Sequence, residues 1–180
     1  MQDPGEPIRR EIVTWEEVDK LIDLIVPQVR SVGGFDGMVI ITRGGIIPGG
    51  MLAEALDLTY VLTAAVRFSD PLLKRDPGTS PLMFGLPSYL QFPDNDLLRG
   101  RKVLVVDDVW GSGRTSSAVR GRCEAAGAQA YICTLHYNPY RSVFKDDGPA
   151  FYGAVTDAFI VYPWEVDRGT DRINSLEPQF

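Results

Sequence analysis

Unbroken apolar runs alternate along this chain with stretches whose apolar residues return every three or four positions. Thr14 precedes WEEVDKLIDLIVPQV, in which Val18, Leu21, Ile22 and Ile25 fall on one helical face. Thr14 and Glu17 have the N-cap and N3 spacing of a capping box, so a helix of about four turns is expected to start here. Pro27 lacks the N–H that a helix interior needs and marks an expected end or kink. MVIIT, 38–42, is apolar without alternation, as in a parallel strand covered on both faces. After RGG, the run IIPGGMLAEALDL places Pro48 in a first helical turn, with Leu52, Ala55 and Leu56 on the packing side. YVLTAAVRF, KVLVVDD, AYICTLHY and AFIVY (158–162) read as further strands. SSAVRGRCEAAGA reads as a helix closed by Gly127, and His136 as a residue terminating its strand.

The order is helix, β-α-β, loop, β-α-β and a last strand. That alternation predicts an α/β domain of three layers, a mostly parallel twisted sheet flanked by helices. Residues 1–180 are expected to form one domain, since 180 residues at 44% hydrophobic can bury a single sizeable core. Residues 1–10 are polar and Pro-rich and are expected to form an arm. Residues 69–98 carry prolines at 71, 77, 81, 87 and 93 and are too long for an ordinary connector, so an active-site lid is expected there. Ligands of such sheets bind beyond the carboxyl ends of the strands. RGG and DDVWGSGRT both follow strand ends, which puts them on one rim.

Charge narrows the partners. A formal net charge of −6 argues against a broad nucleic-acid binder, which needs a basic surface, and leaves room for a local anion pocket. Cys123 and Cys133 have no zinc or redox spacing and are expected to be reduced core residues of a cytoplasmic protein. No segment has the apolar length to cross a membrane, and MQDPGEPIRRE lacks the apolar centre of a signal peptide.

VLVVDDVWGSGRT, 103–115, carries the chemistry. Gly111 and Gly113 permit unusual dihedrals and close approach. Backbone N–H groups between a strand and a helix N-terminus can converge on one anion, and Ser112 and Thr115 add hydroxyl donors. A Walker A loop is excluded because no lysine is present, and the dinucleotide fingerprint is excluded because Ser116 stands where its third glycine belongs. Asp107 and Asp108 lie beside the anion seat. Carboxylates accept from sugar hydroxyls or hold Mg²⁺ through oxygen and water. Phosphate, diol and metal together describe a phosphorylated ribose.

These 13 residues resemble the signature of type I phosphoribosyltransferases. ITRGGIIPGGMLAEAL resembles that family's pyrophosphate loop and following helix, and FIVYPWE (159–165) the base-pocket segment of its hypoxanthine and xanthine-guanine branch. The resemblance spans about residues 12 to 168. It implies the family's fold, with a core of about 12–140 and a small hood from about 1–13 and 141–180. It implies a pentosyltransferase of purine salvage that joins a nucleobase to the ribose of 5-phosphoribosyl 1-pyrophosphate (PRPP), with Mg²⁺ and release of pyrophosphate. Hypoxanthine, guanine or xanthine are the implied bases, and a homodimer the implied assembly.

Residue by residue, the resemblance gives Asp107, Asp108 and Arg43 catalytic roles, the two acids also holding Mg²⁺ directly or through water. Val109, Trp110, Gly111, Ser112, Gly113, Arg114 and Thr115 would seat the 5-phosphate. Arg43, with the N–H groups of Gly44 and Gly45, would clasp pyrophosphate, helped by Lys74 and Arg75 of the lid. A cis peptide is expected between Arg43 and Gly44. Phe159 would stack on the base, with Ile160 and Glu165 flanking it. Two positions depart from the purine branch: Asn138 stands where a lysine meets the purine O6, and Gly111 where an aspartate handles the N7 proton. The GRT ending resembles a pyrimidine-operon regulator of the same fold. A non-catalytic nucleotide-binding regulator, or a transferase for another base, is therefore the alternative.

Overall fold

The computed structural model describes residues 9–68 and 85–166. Its elements are β1 (Arg10–Ile12), α1 (Trp15–Val32), β2 (Gly37–Thr42), α2 (Ile46–Leu56), β3 (Val61–Phe68), β4 (Pro87–Gln91), α3 (Asn95–Leu98), β5 (Lys102–Trp110), α4 (Arg114–Ala125), β6 (Gln129–Tyr137), β7 (Phe151–Val155), β8 (Phe159–Val161) and α5 (Pro163–Val166).

The capping box forms as its spacing requires. Thr14 Oγ1 accepts from the Glu17 N–H, and Glu17 Oε2 accepts from the Thr14 N–H at 2.7 Å. Val18, Leu21, Ile22, Ile25 and Val29 of α1 are buried, each worth roughly 1.5–3 kcal/mol of transfer free energy. Of the two readings of Pro27, an end or a kink, the end is excluded: α1 continues to Val32. Pro27 lies on the exposed face, so the missing bond to the Asp23 carbonyl is left on the solvent side.

Six strands form the main sheet in the order β4-β3-β2-β5-β6-β7. All neighbours are parallel except β3 and β4. The helices α1 and α2 cover one face through a cluster that includes Ile25, Leu52, Leu104, Val106 and Leu135. On the other face α4 packs Val119 and Cys123 with Val103, Val105, Ile132 and Trp110. From β2 the chain moves to β3 on one side, and from β5 to β6 and β7 on the other. The switch point, where such sheets bind ligands, is thus the crevice between the carboxyl ends of β2 and β5.

The hood differs from the pattern-based expectation in detail. AFIVY is not a strand of the main sheet. Its β8 pairs in parallel with β1, Arg10 opposite Phe159 and Ile12 opposite Val161. Trp164 stacks on Tyr162 at 4.5 Å and lies 5.8 Å from Trp15, which ties the hood to the start of α1. β7 extends the core sheet, so the core does not stop near 140 but runs through Val155. Residues 85–98, expected within a lid, include β4 and α3. Tyr89 fastens β4 by donating to the Ala118 carbonyl of α4 at 2.9 Å. Segment 69–84, with Lys74 and Arg75, lies outside the described residues, as do 1–8 and 167–180. Among the described residues no helix is long and apolar enough to cross a membrane. Cys123 and Cys133 are buried and unpaired, in clusters on opposite faces of the sheet.

Candidate active site

Arg43, Gly44 and Gly45 turn the chain from β2 into α2. A cis peptide is present, one bond earlier than expected, between Thr42 and Arg43 where β2 ends and the turn begins. Gly44 and Gly45 allow this turn to press against β5. A Cβ on Gly44 would lie 2.5 Å from the Asp108 carboxylate, and one on Gly45 would lie 2.3 Å from the Val106 carbonyl oxygen. The arginine turn and the acid pair therefore touch across the crevice. The Gly45 N–H, expected to face an anion, instead donates to the Ile41 carbonyl at 2.9 Å. The Gly44 N–H and the exposed Arg43 guanidinium find no acceptor among the described residues.

Side-chain alternation slips at the acids. Val103 and Val105 of β5 join the α4-side cluster, and Leu104 and Val106 the opposite one. Val109 and Trp110 then invert that parity. Strand β6 slips in step, because Asp107 pairs with Thr134 and Val109 with His136, while Asp108 has no partner in the register. As a result Asp107 faces α4, where Ser116 donates to it at 3.2 Å, and Asp108 faces the Gly44 turn. The Asp108 N–H donates to Asp107 Oδ1 at 3.1 Å, and the Val109 N–H to Asp108 Oδ1 at 2.7 Å.

Burial raises both carboxyl pKa values. For Asp107 the neighbouring Asp108 charge adds to burial; for Asp108 the Glu165 charge adds to it, against the Val109 hydrogen bond. A buried acid and a half-buried one held this way gain from a cation or from hydroxyl donors. They fit Mg²⁺, which is commonly held by one or two carboxylates plus substrate phosphates. The described residues contain no cluster of three or more acid, His or Cys ligands, so an ion here would share its shell with substrate oxygens and water.

β5 is longer than the sequence pattern indicated. Val109 and Trp110, expected in the phosphate loop, are strand residues paired with His136 and Tyr137. Trp110 is 0% exposed, donates its indole N–H to Ser142 at 3.1 Å and packs edge-on against Tyr137 and Phe144. It is a floor beneath the loop. Gly113, at φ 79, passes over that floor so closely that a Cβ would fall 2.4 Å from the indole. The loop proper is Gly111–Gly113, and its N–H groups find no acceptor among the described residues. α4 begins at Arg114, earlier than expected; its N-cap Gly113 has no side chain to cap it, and the Arg114 N–H reaches Ser112 Oγ at 3.4 Å. That leaves first-turn donors directed at the loop. Thr115 is half-buried in this turn and Ser112 is exposed. The Arg114 side chain leaves the loop: it donates to the Gly85 carbonyl at 3.1 Å and lies 4.5 Å from the Phe68 ring.

On the base side, Phe159 is half-buried with Arg10 6.0 Å from its ring, and Ile160 is buried. Glu165 accepts from the Tyr162 N–H at 2.9 Å. Asn138, expected to meet a base, is 2% exposed. Its Nδ2 donates to the Ala158 carbonyl at 3.3 Å and its Oδ1 accepts from the Arg141 N–H at 3.1 Å. Both ends of the amide are used in tying the segment after β6 to the segment before β8. Motif reading missed Tyr162, whose hydroxyl donates to the Asp108 carbonyl at 2.9 Å and lies 2.9 Å from His136 Nδ1. It also missed Ser116 as a partner of Asp107; its place one turn into the helix after the acids was the available signal. Burial lowers the His136 pKa to about 4, with the Glu17 charge opposing, so the ring is neutral near pH 7.

Known proteins resemble this chain in sequence and fold. The family model described as a phosphoribosyl transferase domain matches residues 14–168. The chain is 27% identical over 167 residues to the xanthine-guanine phosphoribosyltransferase of Chromohalobacter salexigens, covering 93% of this chain and 90% of the relative. Among solved structures it is similar to a purine phosphoribosyltransferase from Pyrococcus horikoshii, with 27% identity, a TM-score of 0.69 and coverage of 87% and 94% of the two chains. A hypothetical protein from Neisseria gonorrhoeae with bound ppGpp shares the fold at 23% identity, with a TM-score of 0.75 and coverage of 96% and 97%. With its acids at the switch point and a family match over most of its length, this chain belongs to the phosphoribosyltransferase family.

Proposed function

We propose that this family member transfers the 5-phosphoribosyl group of PRPP to a purine base, with hypoxanthine, guanine and xanthine as the first candidates. The observation that carries this reading is the contact of Gly44 with Asp108, which sets an anion-seeking turn against a ribose-seeking acid pair. The bond from C1 to the pyrophosphate oxygen breaks, and a bond from C1 to a ring nitrogen forms. Negative charge grows on the leaving group, so fixed donors aimed at it supply most of the catalysis. Arg43 and the Gly44 N–H are suited to that task, and the Gly111–Gly113 amides with Thr115 to the 5-phosphate. Asp107 and Asp108 would accept the ribose hydroxyls and hold Mg²⁺, whose chemistry is to neutralise pyrophosphate charge.

Asn138 is buried and commits one amide N–H and its oxygen to the Ala158 carbonyl and the Arg141 N–H. Base selection then rests on the hood segment 159–165, through the Phe159 ring and backbone groups flanked by Ile160 and Glu165. Buried, reduced cysteines suit a cytoplasmic enzyme. A homodimer of 19.9-kDa protomers is expected by light scattering.

The experiment is pyrophosphate release with PRPP, Mg²⁺ and a panel of hypoxanthine, guanine, xanthine, adenine and uracil. Base-dependent release with a purine is expected, lost in Asp108→Asn while the fold persists. Release without any base, or donor binding without turnover on any of them, overturns the transferase and favours a binding protein of the same fold.

A further inference from the structure

We infer that Tyr162 is a positioning residue that couples the hood to the ribose-side acid Asp108, with His136 as the donor that holds it. This rests on the function proposed above. Three observations carry it. First, the register of β5 with β6 has no Asp108 rung, and the Asp108 N–H turns to the Asp107 carboxylate at 3.1 Å. Second, the Tyr162 hydroxyl stands 2.9 Å from the Asp108 carbonyl oxygen, which can only accept; the single phenol proton is therefore directed there. Third, His136 Nδ1 lies 2.9 Å from the same hydroxyl, so Nδ1 carries the proton and donates to the phenol oxygen.

The chain of donors runs one way, from imidazole to phenol to Asp108 carbonyl. Tyr162 is only 1% exposed and is fixed at its other end, its ring stacked on Trp164 and its N–H bonded to Glu165. Glu165 belongs to the segment offered to the base. One side chain thus fastens the peptide whose carboxylate faces Gly44 to the segment that would meet the base. Both side chains are buried, and the tie to the crevice runs from His136 through the Tyr162 hydroxyl to Asp108.

Tyr162→Phe removes the hydroxyl and keeps the ring stack. Titration calorimetry of PRPP with Mg²⁺ should show donor affinity weakened about fivefold, the worth of one net hydrogen bond. Steady-state KM for the purine should change less than about twofold in the same variant. His136→Asn places a side-chain N–H near the Nδ1 position and should bind donor nearly as wild type, whereas His136→Leu should match Tyr162→Phe. Unchanged donor affinity in Tyr162→Phe overturns the inference. So does equal weakening toward both substrates, or His136→Asn as poor as His136→Leu, since either marks loss of general packing. Wild-type protein that neither binds nor consumes PRPP removes the functional reading itself; wild-type binding with an indifferent Tyr162→Phe removes this inference alone.

Discussion

Adding one methyl group at Gly44 probes the crevice at its tightest point. An alanine Cβ there would lie 2.5 Å from Asp108 Cγ and Oδ1 and 2.6 Å from Oδ2. Unstrained contacts between carbons lie at about 3.5–4.0 Å, so the carboxylate would have to retreat by roughly 1 Å. It cannot do so freely, because Oδ1 already takes the Val109 N–H at 2.7 Å and the residue is half-buried. Space alone decides the outcome, since Gly44 has no left-handed φ. Overpacking of this kind costs about 1–3 kcal/mol of stability. A reacting group displaced by about 1 Å loses on the order of 100-fold in rate. Gly44→Ala should therefore fold, melt somewhat lower and show kcat/KM for PRPP reduced by about two orders of magnitude. Gly50→Ala is the control: no heavy atom lies within 4 Å of its added Cβ, and alanine favours the helix. Pyrophosphate release and thermal melts on the two variants make the comparison. If folded Gly44→Ala keeps wild-type kcat/KM, Asp108 does not stand at the reacting sugar.

Asn138→Lys should lower stability by about 1–3 kcal/mol, because the Ala158 carbonyl and the Arg141 N–H lose their buried partner, and should leave the order of base preference unchanged. A shift toward 6-oxopurines at full stability would return Asn138 to the base pocket. His136 gives the stability a pH dependence: with a folded pKa of about 4 against 6.5 unfolded, its contribution is complete above pH 6.5 and is lost as pH falls toward 4. Denaturant titrations should show wild type losing about 2 kcal/mol relative to His136→Asn between pH 7 and pH 5, and parallel curves would refute this.

Where local chemistry decides, the sequence was readable. The Thr14–Glu17 capping box, the apolar strands and the alternation of strand and helix depend on neighbours a few residues apart. The acid pair and its glycine loop were equally visible, because phosphate and diol recognition demand those residue types in that order. Long-range packing decided what was not visible. Val109 and Trp110 looked like loop because they follow the acids, but pairing with His136 and Tyr137 draws them into β5. Pro27 looked like a stop or a kink, and the stop is excluded because a missing donor on the exposed face of α1 is tolerated. β7 follows β6 in parallel with no α-helix between them, so the β-α-β rhythm gave no sign of it. Asn138 looked like a substitute for a base-reading lysine, and only the approach of Ala158 and Arg141 reveals how its amide is spent. Tyr162 sat inside the FIVYPWE segment without a role of its own; its partners lie at positions 108 and 136, and the strand slip that gives it a task is a property of the paired strands.

A crystal structure of the protein with PRPP and Mg²⁺ measures the central claim most directly. Density is expected with the 5-phosphate over the Gly111–Gly113 amides, the ribose hydroxyls on Asp107 and Asp108, and the diphosphate at Arg43 and Gly44. An empty crevice at saturating donor, or donor bound away from the carboxyl ends of β2 and β5, would contradict it.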